Sequence, residues 1–168
     1  LAINTLLFQY FLFFTYFIDG FANAAEALIG KQIGEDPMAS LKPLVYKLFI
    51  WGFAISIPFS MTYFLFGLDI MQILTSLPHI ISAAGPYIVW IGILPIISFA
   101  AFIWDGVYIG ATAASPMRNS MLISSILVFL PLYYFLEPIW GNHGLWISFL
   151  SFLLSRGLYL HLRASKYI

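Results

Sequence analysis

Five long apolar stretches, separated by short polar connections, set the pattern of this chain. They cover residues 1–30, 43–68, 87–114, 116–136 and 144–162. A helix needs about 20 apolar residues to cross the hydrocarbon core of a bilayer, and each stretch has about this length or more. The pattern therefore predicts an all-α integral membrane protein with five transmembrane helices.

The segment between the second and third stretches, residues 69–86, is too polar and too short to cross a membrane. Within it, apolar side chains recur at helical spacing, which predicts a short amphipathic helix at the membrane surface; they are Ile70, Ile73, Leu74 and Leu77. Prolines mark the longer helices. Pro43 and Pro116 fall at helix starts, where a missing N–H costs little, and kinks are expected inside helices, at Pro58, Pro95 and Pro131.

Composition agrees with a membrane protein. The chain is 62% hydrophobic and 8% charged, whereas a soluble domain has about 25% charged residues. Seven basic and seven acidic residues balance, so there is no basic surface for nucleic acid. The sequence has no cysteine, its three histidines are far apart, and neither HExxH nor GxSxG occurs. These features argue against an enzyme or a firm metal centre.

Basic residues predict the orientation of the helices. They flank the first and third connections and the C-terminal end, whereas the second and fourth connections have none; they are Lys31, Lys42, Lys47, Arg118, Arg156, Arg163 and Lys166. Since short cytoplasmic loops carry the excess of Lys and Arg, we expect a multi-pass membrane protein with a cytoplasmic C-terminus.

Two acids lie deep inside apolar stretches. Asp19 and Asp105 have no basic residue within one helical turn, and a carboxylate in a bilayer is costly without a partner, a proton or water. Counting from the cytoplasmic flanks, Asp19 lies roughly 18 Å and Asp105 roughly 20 Å into the membrane. The two carboxylates are therefore predicted to lie at one level and to share a proton or a cation. The alternative is that they cap helix breaks near Gly20 and Gly106.

Other polar residues follow the same helix faces. Asn23 and Glu26 share a face with Asp19, and Gln9 and Tyr16 form a neighbouring row with Asn23. Ser98 and Tyr108 accompany Asp105 in the third stretch. We expect Glu26 to belong to the ion site and the other residues to line a cavity.

These residues also have structural interpretations. Glu26 lies near enough to the cytoplasmic interface to pair with a basic residue, and Asn23 and Gln9 suit hydrogen bonds to a neighbouring helix. Glycines are expected to let helices approach closely; they are Gly20, Gly30, Gly106 and Gly110.

Four segments carry a family resemblance in their order and spacing. They are DGFANAAEALIGKQIG (19–34), WDGVYIGATA (104–113), MRNSM (117–121) and GNHGLW (141–146). Together they resemble the multidrug and toxin extrusion (MATE) family, specifically its DNA-damage-inducible, DinF-type branch. The resemblance covers nearly the whole chain. It implies the last five of twelve transmembrane helices, a partial C-terminal lobe of a longer protein.

The resemblance implies a function. Family members exchange protons or sodium for organic compounds such as drugs and toxins, by alternating access between two six-helix lobes. The family's cation-site acid falls at or beside Asp105, with sodium as a possible ion there, and the acidic stripe of the eighth helix falls at Asp19, Asn23 and Glu26. No cofactor other than the coupling ion is expected. The implied partners are a small organic substrate, the lipid bilayer and the N-terminal lobe of the same polypeptide. The location that the resemblance implies is the cell membrane, a bacterial inner membrane.

Two other functions remain as alternatives. A lipid-linked glycan flippase of the same wider superfamily would line its cavity with basic residues, and the sequence indicates no Lys or Arg at mid-membrane. A non-transporting membrane assembly subunit would not need two acids at matched depth.

Overall fold

The computed structural model describes residues 2–36 and 40–166. Over these residues the chain is almost entirely helical, without a β-strand. The α-helices are α1 (Ala2–Glu35), α2 (Lys42–Leu74), α3 (Pro78–Ala84), α4 (Ile88–Gly110), α5 (Ala114–Ile123), α6 (Leu130–Trp140) and α7 (Asn142–Arg163).

Five helical runs are long and apolar enough to cross a membrane, which confirms the predicted fold class. They are α1, α2, the run from α3 through α4, the run from α5 through α6, and α7 with its short extension. The runs extend past the predicted apolar stretches at several ends. The hydrophobic pattern marks the part that would lie in the hydrocarbon core, whereas the backbone hydrogen bonds continue into polar residues beyond it.

The short helix between the second and third spans has different residues from those predicted. Ile70, Ile73 and Leu74 belong to α2, which ends where Thr75 adopts an extended backbone. The short helix α3 begins afterwards, with Pro78 in its first turn. A turn of 3₁₀-helix at Gly85–Tyr87 then joins α3 to α4. The helical spacing of these apolar residues therefore reflects the last turns of α2 rather than a separate amphipathic helix.

The helices accommodate the prolines inside the spans in two ways. α2 continues through Pro58 and α4 through Pro95. The run from α5 to α6 instead widens into a π-helical segment at Ser124–Phe129, just before Pro131. Pro131 has no N–H for the carbonyl of Leu127, four residues earlier, and its ring would crowd that carbonyl. The wider π turn accommodates this interruption without ending the helix.

α4 is the central helix, and it packs against α1, α2 and α7. It is the most buried of the spanning runs, and the α5–α6 run is the most exposed. The core of α4 is formed by fully buried apolar side chains, among them Ile91, Leu94, Ile103 and Val107. A polar group on α4 is therefore enclosed by three neighbouring helices.

Hydrogen bonds tie α1 and α2 together. The Tyr10 hydroxyl donates to the Gly67 carbonyl at 2.6 Å, and the Tyr63 hydroxyl donates to the Tyr10 carbonyl at 2.9 Å. The two rings meet edge to face, with centroids 5.1 Å apart. In an apolar setting such interhelical bonds help to fix helix register.

Candidate functional site at Asp105 and Arg156

Two glycines of α4 bring α1 and α4 into backbone contact. A Cβ atom on Gly106 would lie 2.7 Å from the carbonyl carbon of Ala22, and one on Gly110 would lie 2.5 Å from the Glu26 carbonyl oxygen. A Cβ atom on Gly30 would lie 3.7 Å from the Gly110 carbonyl oxygen, an ordinary van der Waals contact. The predicted packing role is confirmed at Gly106 and Gly110, whereas Gly30 lies at the same contact without requiring glycine. The predicted role is wrong for Gly20, around which the described residues leave open space.

The same contacts fix the level of the two acids. A four-residue step along α4, from Gly106 to Gly110, matches a four-residue step along α1, from Ala22 to Glu26, so the two helices run parallel. Asp19 and Asp105 are therefore offset by about 3 Å along the helix axes, at about 1.5 Å per residue. Both helices continue unbroken through these positions, which excludes the alternative that the acids cap helix breaks.

Asp105 forms an ion pair with Arg156, which the sequence pattern grouped with the charges of the C-terminal end. The Arg156 Nη2 of α7 donates a hydrogen bond to Asp105 Oδ2, and the side chains are 13% and 16% exposed, respectively. Arg156 thus lies inside a spanning helix, at the level of Asp105. Any membrane depth assigned to Asp105 therefore applies to Arg156 as well, which removes the basis for predicting no Lys or Arg at the level of the acids. Charge counting cannot show which helix face a residue occupies.

The pair is only partly satisfied by the rest of the described chain. Asp105 Oδ1 and Arg156 Nε are both buried and have no hydrogen-bond partner among the described residues. A buried polar atom without a partner costs about 1–3 kcal/mol, and more when it is charged. The site therefore has an unused acceptor on the acid and an unused donor on the base.

Asp19 lies on a different side of the helix packing. Its side chain is exposed, whereas the Asp105 side chain is only 16% exposed. No hydrogen bond joins the two acids in the part of the chain that the structure describes. The common level is thus observed, whereas a shared proton or cation stays a prediction.

The polar row of α1 is largely exposed, and part of it lines a groove beside α2. Gln9, Tyr16 and Asn23 are exposed, and Glu26 is partly buried. Lys31 pairs with Glu35 across 3.7 Å rather than with Glu26. Gln9 and Tyr16 line a groove of about 620 Å³ between α1 and α2, together with aromatic and apolar side chains.

Ser98 and Tyr108 do not reach that groove. Both are fully buried. The Ser98 hydroxyl donates to the Leu94 carbonyl, and the Tyr108 hydroxyl donates to the Leu160 carbonyl of α7, each at 2.7 Å. Their positions in the packed interior do not favour the predicted role in lining a cavity.

Several residues of the site escaped the sequence pattern. Arg156 interrupts an otherwise apolar stretch, and reading it as a charge inside a span would have revealed it. The α2 side of the groove had no such signal, because its residues look like any apolar helix; it consists of Pro58, Phe59, Thr62, Tyr63, Ile70 and Leu74. No cluster of three metal-ligating side chains (His, Cys, Asp or Glu) occurs among residues 2–36 and 40–166, so sodium at Asp105 stays a prediction.

These helices, with an ion pair enclosed between two of them, define a polytopic membrane protein. The family model described as MatE matches residues 1–135. The chain belongs to this family, whose members are transporters, and the predicted resemblance is confirmed. It is also 37% identical, over 166 residues and 95% of its length, to DNA damage-inducible protein F of Escherichia coli (strain K12). The chain spans about a third of the relative's length, since the alignment covers 34% of it. No solved structure matches.

Proposed function

We propose that this chain is part of the C-terminal lobe of a cation-coupled exporter of organic compounds, drugs and toxins included. The observation that carries the proposal is the carboxylate of Asp105, enclosed on the central helix with a positive partner and one unused oxygen. A second acid, Asp19, lies at the same level on the exposed face of α1. The family match and the relative support an efflux transporter.

The chemistry follows from the cost of charge in a membrane. A carboxylate at this depth is stable when a positive partner accompanies it. Arg156, a proton and a sodium ion can each be that partner, so the occupant of Asp105 can change with the side from which water reaches it. Because Gly106 and Gly110 hold α4 against α1, a change at Asp105 is close to the helix that carries the polar row. Alternating access would then link ion binding to substrate release.

The groove between α1 and α2 is the proposed substrate contact in this lobe. Its volume of about 620 Å³ falls within the range of about 300–1,000 Å³ typical of small-molecule sites. Phe13, Tyr16 and Phe59 present rings to it, and Gln9 and Thr62 add polar groups. Aromatic faces suit flat or cationic organic molecules. The remaining wall would come from the N-terminal lobe of the same polypeptide.

The test is efflux of a cationic fluorescent dye from cells that express the complete transporter containing this chain. We expect an imposed proton or sodium gradient to drive efflux. The variant Asp105→Asn/Arg156→Gln should abolish that dependence, whereas the control Asp69→Asn, which removes an exposed acid near the end of α2, should keep it. Efflux that ignores both gradients in the wild type would exclude cation antiport.

The proposed location is the cell membrane, a bacterial inner membrane, with the C-terminus in the cytoplasm. The orientation is supported by the positions of Lys and Arg at the helix ends, and the bacterial membrane by the similarity to a protein of Escherichia coli. Green fluorescent protein and alkaline phosphatase, each fused to the C-terminus, would test it. Fluorescence without phosphatase activity is the expected pattern, and the reverse pattern would mean that the orientation is inverted.

The presence of Arg156 inside a spanning helix does not favour the flippase alternative. Arg156 is a basic residue inside a span, but its charge is balanced by Asp105. A lining that holds the phosphates of a lipid-linked glycan needs unbalanced positive charge. The MatE family match also favours efflux over an assembly subunit without transport activity.

A further inference from the structure

We infer that Arg156 is a built-in competitor of the coupling ion: it occupies Asp105 when the ion is absent and is displaced when the ion binds. This inference rests on the proposed function, because it assigns the coupling ion to Asp105. It adds a residue of α7 that neither the sequence motifs nor the comparisons assign to the site.

The contact between the two side chains is suited to exchange. A guanidinium and a carboxylate can form two parallel hydrogen bonds, which is their strongest arrangement. Here a single guanidinium nitrogen, Nη2 of Arg156, contacts Oδ2 of Asp105, while Oδ1 of Asp105 and Nε of Arg156 stay without a hydrogen-bond partner among the described residues. Oδ1 is therefore available to an incoming proton or sodium ion before the guanidinium has left.

The charges that act on Asp105 define the competition. Arg156 of α7 forms an ion pair with the carboxylate, and Asp19 of α1 is a second negative charge, about 3 Å away along the helix axes. An arriving cation removes the charge that holds Arg156, because a neutralised Asp105 no longer offsets a buried guanidinium. Two positive charges at one carboxylate also repel each other. Ion and guanidinium therefore exclude one another, and the carboxylate always has one positive partner.

This arrangement makes the empty site stable without an ion. A buried carboxylate left alone would be costly, and a transporter must pass through a state in which the coupling ion has gone. Arg156 supplies the missing charge in that state. In return it lowers the affinity for the ion, which allows the ion to leave on the side of low concentration.

A purely structural tether between α4 and α7 predicts something different. If the pair only joins helices, its loss lowers stability and leaves the concentration dependence of the ion unchanged. If Arg156 competes with the ion, its loss makes the ion bind more tightly. The half-saturating ion concentration therefore separates the two roles, whatever happens to stability.

The experiment uses the complete transporter containing this chain, reconstituted in liposomes, with dye efflux measured against proton and sodium concentration. For Arg156→Gln we expect the half-saturating concentration of the coupling ion to fall by about tenfold, the lower end of the effect of one close opposite charge on a carboxylate. Arg156→Lys keeps the charge and should stay near the wild-type value. The matched control is Arg163→Gln, seven residues further along α7, where the side chain is exposed and lies over the Tyr159 ring. It should leave the ion dependence unchanged.

If Arg156→Gln does not yield a monodisperse protein, Arg156→Met carries the same expectation, because it retains apolar volume and removes the charge. An ion dependence in Arg156→Gln or Arg156→Met equal to that of an ion-dependent wild type overturns the role of Arg156 and leaves the proposed function intact. A wild type that ignores both ions overturns the proposed function, and this inference with it.

Discussion

Gly106 of α4 lies directly against the backbone of Ala22 in α1. A methyl group on this glycine would fall 2.7 Å from the Ala22 carbonyl carbon, a distance that real Cβ contacts do not reach. The neighbouring atoms are backbone, so no side chain can move aside. This contact holds the helix that carries Asp105 against the helix that carries Asp19.

The substitution Gly106→Ala is therefore expected to push α1 and α4 apart. Overpacking of a close contact typically costs about 1–3 kcal/mol, and the backbone atoms of Ala22 place this case at the upper end. We expect a lower melting temperature of the detergent-purified transporter and reduced dye efflux. Size-exclusion chromatography with intrinsic fluorescence, after heating, measures the first quantity.

Gly20→Ala is the matched control for this prediction. Gly20 lies in α1 near the same level, and the described residues leave open space where its Cβ would be. Alanine is also the better helix former by about 1 kcal/mol, so the melting temperature should stay the same or rise slightly. Equal losses in both variants would show that α1 and α4 do not approach each other as closely as described.

The ion pair predicts a non-additive stability effect. Asp105→Asn alone leaves Arg156 buried without its counter-ion, and breaking a buried pair in this way costs about 3–5 kcal/mol. Asp105→Asn/Arg156→Gln removes both charges, so the double variant should melt closer to the wild type than either single variant does. Thermal unfolding of the four proteins in the same detergent measures the coupling. Additive losses would mean that the two side chains do not form a pair.

This result also matters for tests of transport. A loss of efflux in Asp105→Asn has two possible causes, a lost ion site or an uncompensated guanidinium that disturbs folding. The double variant separates them, because it removes the ion site while leaving no unpaired charge. The family motifs contain Asp105 but not Arg156, so they suggest only the single variant.

The sequence was sufficient for those features that depend on short stretches of chain. Apolar length predicted the spanning helices, and the glycines within the apolar stretches predicted close helix contacts, correctly at Gly106 and Gly110. The equal level of Asp19 and Asp105 followed from counting residues to charged flanks, because helix rise is constant. Helix length and depth are properties of one helix at a time, whereas a glycine marks a contact only where a second helix meets it, as Gly20 shows.

Features that depend on which faces meet were not predictable in the same way. Asp105 and Arg156 are 51 residues apart in the chain, and their contact requires the packing of α7 on α4. Ser98 and Tyr108 share the helix of Asp105 but face buried carbonyls instead of a cavity. A helical period tells which residues share a face, and the neighbours decide whether that face is open or closed.

The tyrosine pair between α1 and α2 allows a test of how the two helices that form the groove are held together. Tyr63→Phe removes the hydrogen bond to the Tyr10 carbonyl and retains the ring contact. A net loss of about 1 kcal/mol is expected for one such bond, and thermal unfolding measures it. Tyr134→Phe is the control, because Tyr134 is 77% exposed and should show no loss. A stability of Tyr63→Phe equal to that of the control would mean that the bond does not hold the helices together.

Replacing Tyr16, which lines the groove, is expected to weaken transport without lowering stability. This side chain lines the groove and is 75% exposed, so Tyr16→Ala removes a wall of the proposed substrate site without opening a cavity in the core. We expect the melting temperature to stay near the wild type and the apparent KM for a cationic dye to rise severalfold, by about the factor that corresponds to 1 kcal/mol of ring contact.

Tyr46→Ala is the control for Tyr16→Ala, because Tyr46 of α2 is similarly exposed, at 69%, but lines a different recess beside Trp104 and His161. Its apparent KM should not change. Equal effects at both tyrosines would indicate a general response to losing a surface ring. An unchanged KM at Tyr16 would place the substrate away from the groove, because Tyr16 lines the groove and a dye bound there would lose its contact with the ring.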